Sequence, residues 1–548
     1  MDNKPIAKAF QFLGELMELH EENPFKVRSY QNAYMTLRKW DQPLGEMPLE
    51  KIEAIKGVGK AIAGKIKELL DSGQMQTLEK YKAQTPEGVQ EMLQIKGFGP
   101  KKVRTVWKDL GVETIGELLY AINENRLLEL KGFGKKTQED LRQQLEYYRL
   151  SKDKFLYATA ENEALALVKA LQTALPPSVK VEWTGAIRRR ELVLESIEVL
   201  VGTADLSPSE LGAFLTEIQP AAGGWRGVSA SGFPVRLHVC QPDEFGSKQF
   251  RHSAAPSFLE AFLSRFPGQD FKGLAEETAV FERAGLPYLA PELRSAPDAL
   301  SRAIPALLDE EDIRGVVHAH STYSDGLHTL QEMAESARNA GFAYLVITDH
   351  SKSAFYANGL STERVLAQMA EIEALNAAMA PFRIFKGIES DILADGSLDY
   401  PEEILAQFEV VIASVHSNLK MDEAKATARI IRAIENPHTR ILGHPTGRLL
   451  LSRPGYPLDH RAVIDACAAN GVAIELNANP YRLDLDWAWI PYAIEKQVWI
   501  SINPDAHSRE GIRDIHFGVL AARKGGLEKS RCLNAMDLES FAEWVGKA

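Results

Sequence analysis

What the sequence has little of narrows it first. Three cysteines, Cys240, Cys467 and Cys532, are scattered through 548 residues. They form neither a disulfide framework nor a pair at metal spacing, so a reducing cytoplasm is the expected compartment. No apolar run is long enough to span a bilayer, and charges interrupt the first turns of the chain where a signal peptide would be apolar. Positive charge is not in excess either. The formal net charge is −12, which argues against a general polyanion binder. The imbalance is uneven: residues 1–150 hold 24 Lys and Arg against 22 Asp and Glu, the remainder 39 against 53. Any contact with a polyanion therefore falls to local patches. A chain of this length also exceeds what one hydrophobic core holds, and three or more domains are expected.

The front part is helical in pattern and repeats one motif three times. Ile55 to Ile66 reads I-K-G-V-G-K-A-I-A-G-K-I, Ile95 to Val106 reads I-K-G-F-G-P-K-K-V-R-T-V, and Leu130 to Leu141 reads L-K-G-F-G-K-K-T-Q-E-D-L. The pairs Gly57/Gly59, Gly97/Gly99 and Gly132/Gly134 permit a tight turn with positive φ. Each pair opens a helix and is followed by lysines: Lys60, then Lys101 and Lys102, then Lys135 and Lys136. Oriented amides, a positive helix end and cations together suit a phosphate. One copy could be a plain helix connection with solvated lysines; three copies point to sequence-independent contacts with a DNA backbone.

These hairpins resemble helix-hairpin-helix motifs, and their order resembles the front of family X DNA polymerases. The resemblance implies a small helical domain over 1–85 that grips the 5′ side of a gap, and a fingers-like domain over 86–150. It also places Lys65 where the family has a lysine that attacks the sugar aldehyde of an abasic site. A Schiff-base lysine needs a lowered pKa or cationic neighbours, and Lys60 and Lys67 are close in sequence. A lysine that only touches the backbone or solvent is the other reading.

From about Ser151 strands mix with helices, as in Val179–Trp183, Ile197–Val201 and Val235–Val239. Trp183 to Val201 resembles the palm signature of family X polymerases, and Glu282 to Arg294 the end of the thumb. The resemblance implies a palm over 151–247, a thumb over 248–294 and a linker over 295–312. The departures weigh more. Nucleotidyl transfer needs two divalent ions on a carboxylate cluster. The family's paired aspartates fall here on Ser196 and Glu198, and the third on Arg236, whose cation would repel an ion. The triphosphate-binding glycine-serine is Gly185 and Ala186, and a later motif is replaced by Arg251, His252 and Ser253. No template-directed polymerase activity is expected. Arg188, Arg189 and Arg190 are either DNA contacts or a solvated basic run.

Beyond Ile313 seven apolar runs alternate with helical stretches, which argues a parallel, barrel-like α/β domain. In such barrels the chemistry sits at the C-terminal ends of the strands. Those ends supply His318 and His320, spaced to share one face of an extended strand, then Asp325, His350, Glu389, His416, His444, Asp505 and His507. Histidines mixed with carboxylates suit zinc, manganese or iron. Nine donors exceed one ion's needs and fit two or three. His328, His438, His460 and His516 match no strand end. Candidate phosphate contacts are Lys352, Arg448 and Arg482, with surface ion pairs as the alternative.

Residues 313–548 resemble the PHP (polymerase and histidinol phosphatase) domain at all nine positions, so the expected fold there is a distorted (βα)7 barrel. The resemblance implies one ion on His318, His320, Glu389 and Asp505, a second on Glu389, His416 and His444, and a third on Asp325, His350 and His507. Over the whole chain the order resembles bacterial family X polymerases. That implies a repair hydrolase acting on DNA 3′ ends at gaps, nicks or recessed termini, in exonuclease, abasic-site or end-cleaning reactions. A phosphomonoesterase with a vestigial front part and a non-catalytic DNA-binding scaffold are the rivals.

Overall fold

A computed structural model describes residues 3–40, 42–95, 97–150, 154–203 and 205–546. Lys96 of the second hairpin motif and the expected boundary at 151–153 lie outside the described residues. Two compact units are present, Met1–Glu146 and Tyr147–Ala548.

The first unit is helical, and its three motifs are three copies of one turn. Gly57, Gly97 and Gly132 have φ of 89°, 81° and 94°. One residue later the amides of Val58, Phe98 and Phe133 donate to the carbonyls of Ile55, Ile95 and Leu130. Each of those three apolar side chains is buried, so the motif's second hydrophobic letter, between the two glycines, is its anchor. The helices Lys60–Ser72, Pro100–Leu110 and Lys135–Leu150 start directly after the second glycine. Phe98 and Phe133 meet edge to face at 6.3 Å, which joins the second and third hairpins through their anchors.

The expectation of positive φ across each glycine pair holds only for the first member and is corrected for Gly59, Gly99 and Gly134. Gly59 and Gly99 are extended, with φ of −87° and −73°, and Gly134 is likewise outside the positive-φ glycines. The reason is that the first glycine alone reverses the chain. The second only leads into the helix, its carbonyl accepting the first helical amides: Ile62 and Ala63 on Gly59, Val103 on Gly99, Gln138 on Gly134. A β-carbon on any of the three would meet nothing within 4 Å, so neither backbone angle nor packing inside the unit requires glycine there.

In the second unit a five-stranded sheet runs in the order 181–183, 197–201, 234–239, 224–229, 215–221. Its central pair, Ile197–Val201 and Pro234–Val239, is parallel, with Glu198 opposite Arg236 and Leu200 opposite His238.

The C-terminal part is a seven-stranded parallel sheet in strict sequence order: Gly315–Ala319, Tyr344–Ile347, Arg383–Asp391, Val410–Ser414, Thr439–Leu442, Ala473–Asn477 and Ile500–Asn503. Nearly every strand residue is buried, as expected when both faces of a parallel sheet are covered. The last and first strands meet through a parallel bridge between Ala319 and Ala506, which nearly closes the barrel. The helices between strands begin where the sequence supplies caps: Thr329 and Glu332 form a reciprocal capping box, and Asp422 caps the helix Glu423–Ile434.

Candidate metal centre

The barrel brings all nine of the predicted donors to one place, and each is buried or nearly so. Glu389 is the hub. Its Oε1 lies 3.0 Å from His444 Nε2, 3.1 Å from His416 Nε2 and 3.4 Å from His318 Nε2. Its Oε2 lies 3.0 Å from His350 Nδ1 and 3.8 Å from His320 Nε2. Asp505 Oδ1 stands 3.0 Å from His320 Nε2 and 3.4 Å from His318 Nε2. Asp325 approaches His350 at 3.5 Å and His507 at 3.4 Å.

The H-A-H pair does not sit on a regular strand. A bulge falls between Val317 and Ala319, and His318 has φ of 68°, a left-handed conformation rare outside glycine. Asp505, on the segment that bridges to it, has φ of 52°. The two histidines meet at 5.3 Å because the bulge re-aims His318, not because the strand is straight. Backbone strain of this kind persists where the surroundings over-determine it.

The donor set fits divalent ions. His318 Nε2, both ring nitrogens of His350, His444 Nδ1 and Glu389 Oε2 are buried without a hydrogen bond. Orphaned buried polar atoms are rare, and here most of them face other members of the cluster. Ligand atoms sharing one ion at about 2.1 Å stand about 3–3.5 Å apart, which matches these separations. Within the barrel three groups lie close enough to share an ion: His318, His320 and Asp505; His350, Glu389 and His416; and His320 with Asp325, His350 and His507.

Electrostatics agrees. Burial alone would favour a neutral Glu389, but His416, His318 and His350 outweigh it and hold the carboxyl well below the usual carboxylate range. Asp325 and Asp505 are held down against burial by the histidines around them. His320 goes the other way. Burial, with His507 and His350 beside it, lowers it to about 3, so its lone pair is available.

Three residues outside the predicted set complete the centre. Glu475, fully buried on the sixth strand, accepts from His318 Nδ1 at 2.6 Å, from Asn503 Nδ2 at 2.7 Å and from the His444 amide at 3.0 Å. Asp391 accepts from His416 Nδ1 at 2.6 Å. Asp349 gathers Ser321, Ser324 and Gln368, pinning the loop that carries Asp325. Such carboxylate–histidine contacts fix which ring nitrogen faces an ion. The only sequence signal was an acidic residue inside an apolar strand, as in A-I-E-L-N.

The phosphate candidates divide. Lys352 is exposed on the loop after His350. Arg448 is not available: its guanidinium bonds Asp486 and the carbonyls of Arg482 and Leu483. Arg482 is itself buried, at 3% exposure. The basic run fits neither expectation. Arg188 forms a bidentate pair with Glu277, Arg189 donates to the His252 carbonyl, and Arg190 bonds Tyr157. These half-buried arginines are bonded within the unit rather than forming a freely solvated run.

At the three positions expected of the palm, Ser196 is half-buried on the turn into its strand, Glu198 follows on that strand, and Arg236 is exposed on the neighbouring one. Glu198 Oε2 meets His238 Nε2 at 3.0 Å, and the Ala186 amide donates to Glu198 Oε1 at 3.3 Å. His238 in turn stacks on His252 at 4.0 Å.

In the first unit Gly57, Gly97 and Gly132 and the second glycines Gly59, Gly99 and Gly134 are all exposed, as are Lys60, Lys101 and Lys135 beside them. Lys102 lies over the Phe133 ring at 5.9 Å. Each hairpin thus presents an uncovered helix start and a cation on one side. Lys65 is half-buried and donates to Thr77 Oγ1.

Helix-hairpin-helix modules and a histidine–carboxylate cluster on a nearly closed seven-stranded barrel define a PHP-domain protein with DNA-binding hairpins. Comparison with known families agrees: residues 1–75 match the helix-hairpin-helix domain, 89–146 the SAM-like helix-hairpin-helix tandem, and 317–479 the PHP domain. The chain is 34% identical to the DNA polymerase/3′-5′ exonuclease PolX of Bacillus subtilis (strain 168), over 99% of both chains. It belongs to the PolX family. A probable phosphatase of Syntrophotalea carbinolica is 30% identical over 42% of this chain and 95% of its own length. One of Thermoanaerobacter sp. (strain X514) is 28% identical over 42% and 92%. Among the described residues no helix is long and apolar enough to cross a membrane.

Proposed function

We propose that this protein is a cytoplasmic, metal-dependent phosphodiesterase that trims DNA 3′ ends in repair, and that its polymerase centre is inactive. The hairpin modules hold the backbone of gapped, nicked or recessed DNA, and the barrel hydrolyses it. At each hairpin the first glycine makes the turn, while Gly59, Gly99 and Gly134 act by leaving the helix start bare for a phosphate to approach. The contrast between the two centres carries the reading. The barrel keeps nine convergent donors, whereas the one carboxylate left at the family's three metal positions, Glu198, bonds its own His238 and the very amide, of Ala186, that a triphosphate would need.

His318, His320, Glu389 and Asp505 would hold one ion, Glu389 with His416 and His444 a second, and Asp325, His350 and His507 a third. The donor mixture suits manganese or zinc, with iron a further option. Ions bound there supply an activated water and neutralise phosphate charge. The chain's own part is positioning. Glu475 and Asp391 orient His318 and His416, and the Asp349 bonds hold the Asp325 loop. Exposed Lys352 is the cation available to a substrate phosphate.

The test is degradation of 5′-labelled gapped DNA with Mn²⁺. His318→Ala and Glu389→Ala should each abolish nucleotide release; full activity in His318→Ala ends the proposal. The likeness to probable phosphatases over the barrel supports a second reading, a small-molecule phosphomonoesterase. Turnover of a model monoester but not of recessed DNA would favour it.

A further inference from the structure

The loop after His350 presents an aromatic ring to solvent. Phe355 is 86% exposed, while its loop neighbours Ala354, Ala357 and Leu360 are fully buried. A single exposed apolar residue is ordinary on a protein surface. This one differs in how its support is built. The loop leaves ligand candidate His350 and returns to it, with the Leu360 amide donating to the His350 carbonyl at 2.9 Å. The Ser351 amide donates to the Glu389 carbonyl, and Ser353 is held by Asp399 at 2.6 Å and by Asp391 at 2.9 Å. Asp391 is the carboxylate that orients His416. At the far end the Asn358 side chain donates to the Ser324 carbonyl, and a β-carbon on Gly359 would stand 1.9 Å from the Ser351 carbonyl oxygen. The next residue, Tyr356, has its ring 6.4 Å from that of His350, so Phe355 lies one residue along the chain from a ring at the cluster. Lys352 is exposed on the same loop.

We propose that Phe355 is a nucleobase platform: the unpaired base at a DNA 3′ end stacks on its ring while the adjoining phosphodiester reaches the cluster and Lys352 meets a neighbouring phosphate. The inference rests on the phosphodiesterase reading above. A rigid ring suits this task because every base has a π face, so stacking selects for unpaired ends without selecting sequence. It makes the site specific for frayed or single-stranded termini.

The test uses the full chain and two 5′-labelled oligonucleotides that differ only at the 3′ residue, one with a normal base and one with a baseless tetrahydrofuran. Phe355→Ala should raise KM about 5- to 100-fold on the normal end, from the usual worth of one stacked base. It should leave the baseless end unchanged, and Phe355→Trp should restore the normal end. An equal loss on both ends, or no loss on either, overturns the proposal. A 3′-terminal 2-aminopurine read in EDTA separates it from the parent reading. Its fluorescence should change on binding to wild type and not to Phe355→Ala, whether or not cleavage occurs. A change without any Mn²⁺-dependent cleavage would sink the phosphodiesterase and leave the platform.

Discussion

Glu198 Oε2 lies 3.0 Å from His238 Nε2, across the parallel pair of strands at the middle of the five-stranded sheet. The contact closes a local circuit. A β-carbon on Gly185 would stand 2.1 Å from Glu198 Oε1, so the carboxylate fills the space over the glycine turn and takes the Ala186 amide. His238 and Ala186 together keep Glu198 ionised against the cost of burial. On the function proposed above, with Ser196 and exposed Arg236 at the other two positions, Glu198 has no second carboxylate there with which to share two ions. Primer extension with Mn²⁺ should show no templated incorporation by the wild type. Glu198→Ala should release 3′ nucleotides as fast as the wild type, and a tenfold loss in that assay would connect the two centres after all.

A second contact ties the short helix Gly185–Arg188 to Glu277 and Arg294. Glu277 accepts two bonds from Arg188, at 2.9 and 2.8 Å, one from Arg294 at 2.5 Å and one from the Tyr288 hydroxyl at 3.0 Å. Arg294 is completely buried, with Phe281 4.9 Å from its guanidinium. Burial opposes the charge on Glu277, yet the two arginines hold its carboxyl at about 2. Removing the acid strands two cations, and Glu277→Ala should cost about 3–5 kcal/mol. Urea denaturation of the full chain, compared with a surface control such as Glu282→Ala, checks it.

His516 supplies a pH dependence away from the metal centre. Its Nε2 lies 3.0 Å from Glu161 and its Nδ1 2.9 Å from Glu310. The Glu161 bond, against burial and aided by Glu310, raises it to about 9. A raised histidine stabilises fully below its unfolded value near 6.5 and loses that contribution as pH climbs through 9. The group is partly solvated, so the contribution is about 1–2 kcal/mol after screening. His516→Gln should therefore melt below the wild type at pH 6, and the gap should close by pH 10. A gap of the same size at both pH values would contradict the assignment.

How much of this could be read from the chain depended on where the partners lie. The barrel was legible because each strand announces itself by a short apolar run and six of the seven deliver a His, Asp or Glu at the end, so the nine donors need no long-range information beyond the fold. The hairpins were legible as repeats, but the letters do not say which glycine turns the chain; Gly57, Gly97 and Gly132 do, and Gly59, Gly99 and Gly134 do not. The arginine run was not legible at all. Arg188 finds Glu277 at 89 residues' separation and Arg189 the His252 carbonyl at 63, and nothing local distinguishes such a pair from solvated charge. Glu475 escaped for a similar reason: an acid within an apolar strand takes meaning only when His318, 157 residues away, faces it. His318 reaches the cluster, but not by the straight-strand spacing the sequence suggests, since the strand bulges at that residue.

Glu475 then allows a prediction about metal affinity that needs no turnover. Its Oε2 fixes His318 through Nδ1 and leaves Nε2 facing Glu389 and Asp505; its Oε1 also takes the His444 amide. A glutamine at this position keeps the volume and one acceptor but loses the charge, and its amide hydrogens would oppose either His318 Nδ1–H or the His444 amide. Ring orientation and basicity should both suffer, and partners of this kind typically contribute about 10- to 100-fold in metal affinity. Calorimetric titration of metal-free protein with Mn²⁺ should show Glu475→Gln weakened by about that factor. The circular dichroism spectrum should stay unchanged. Affinity equal to the wild type would mean that His318 keeps its orientation without the carboxylate, and that the bulge alone positions the ring.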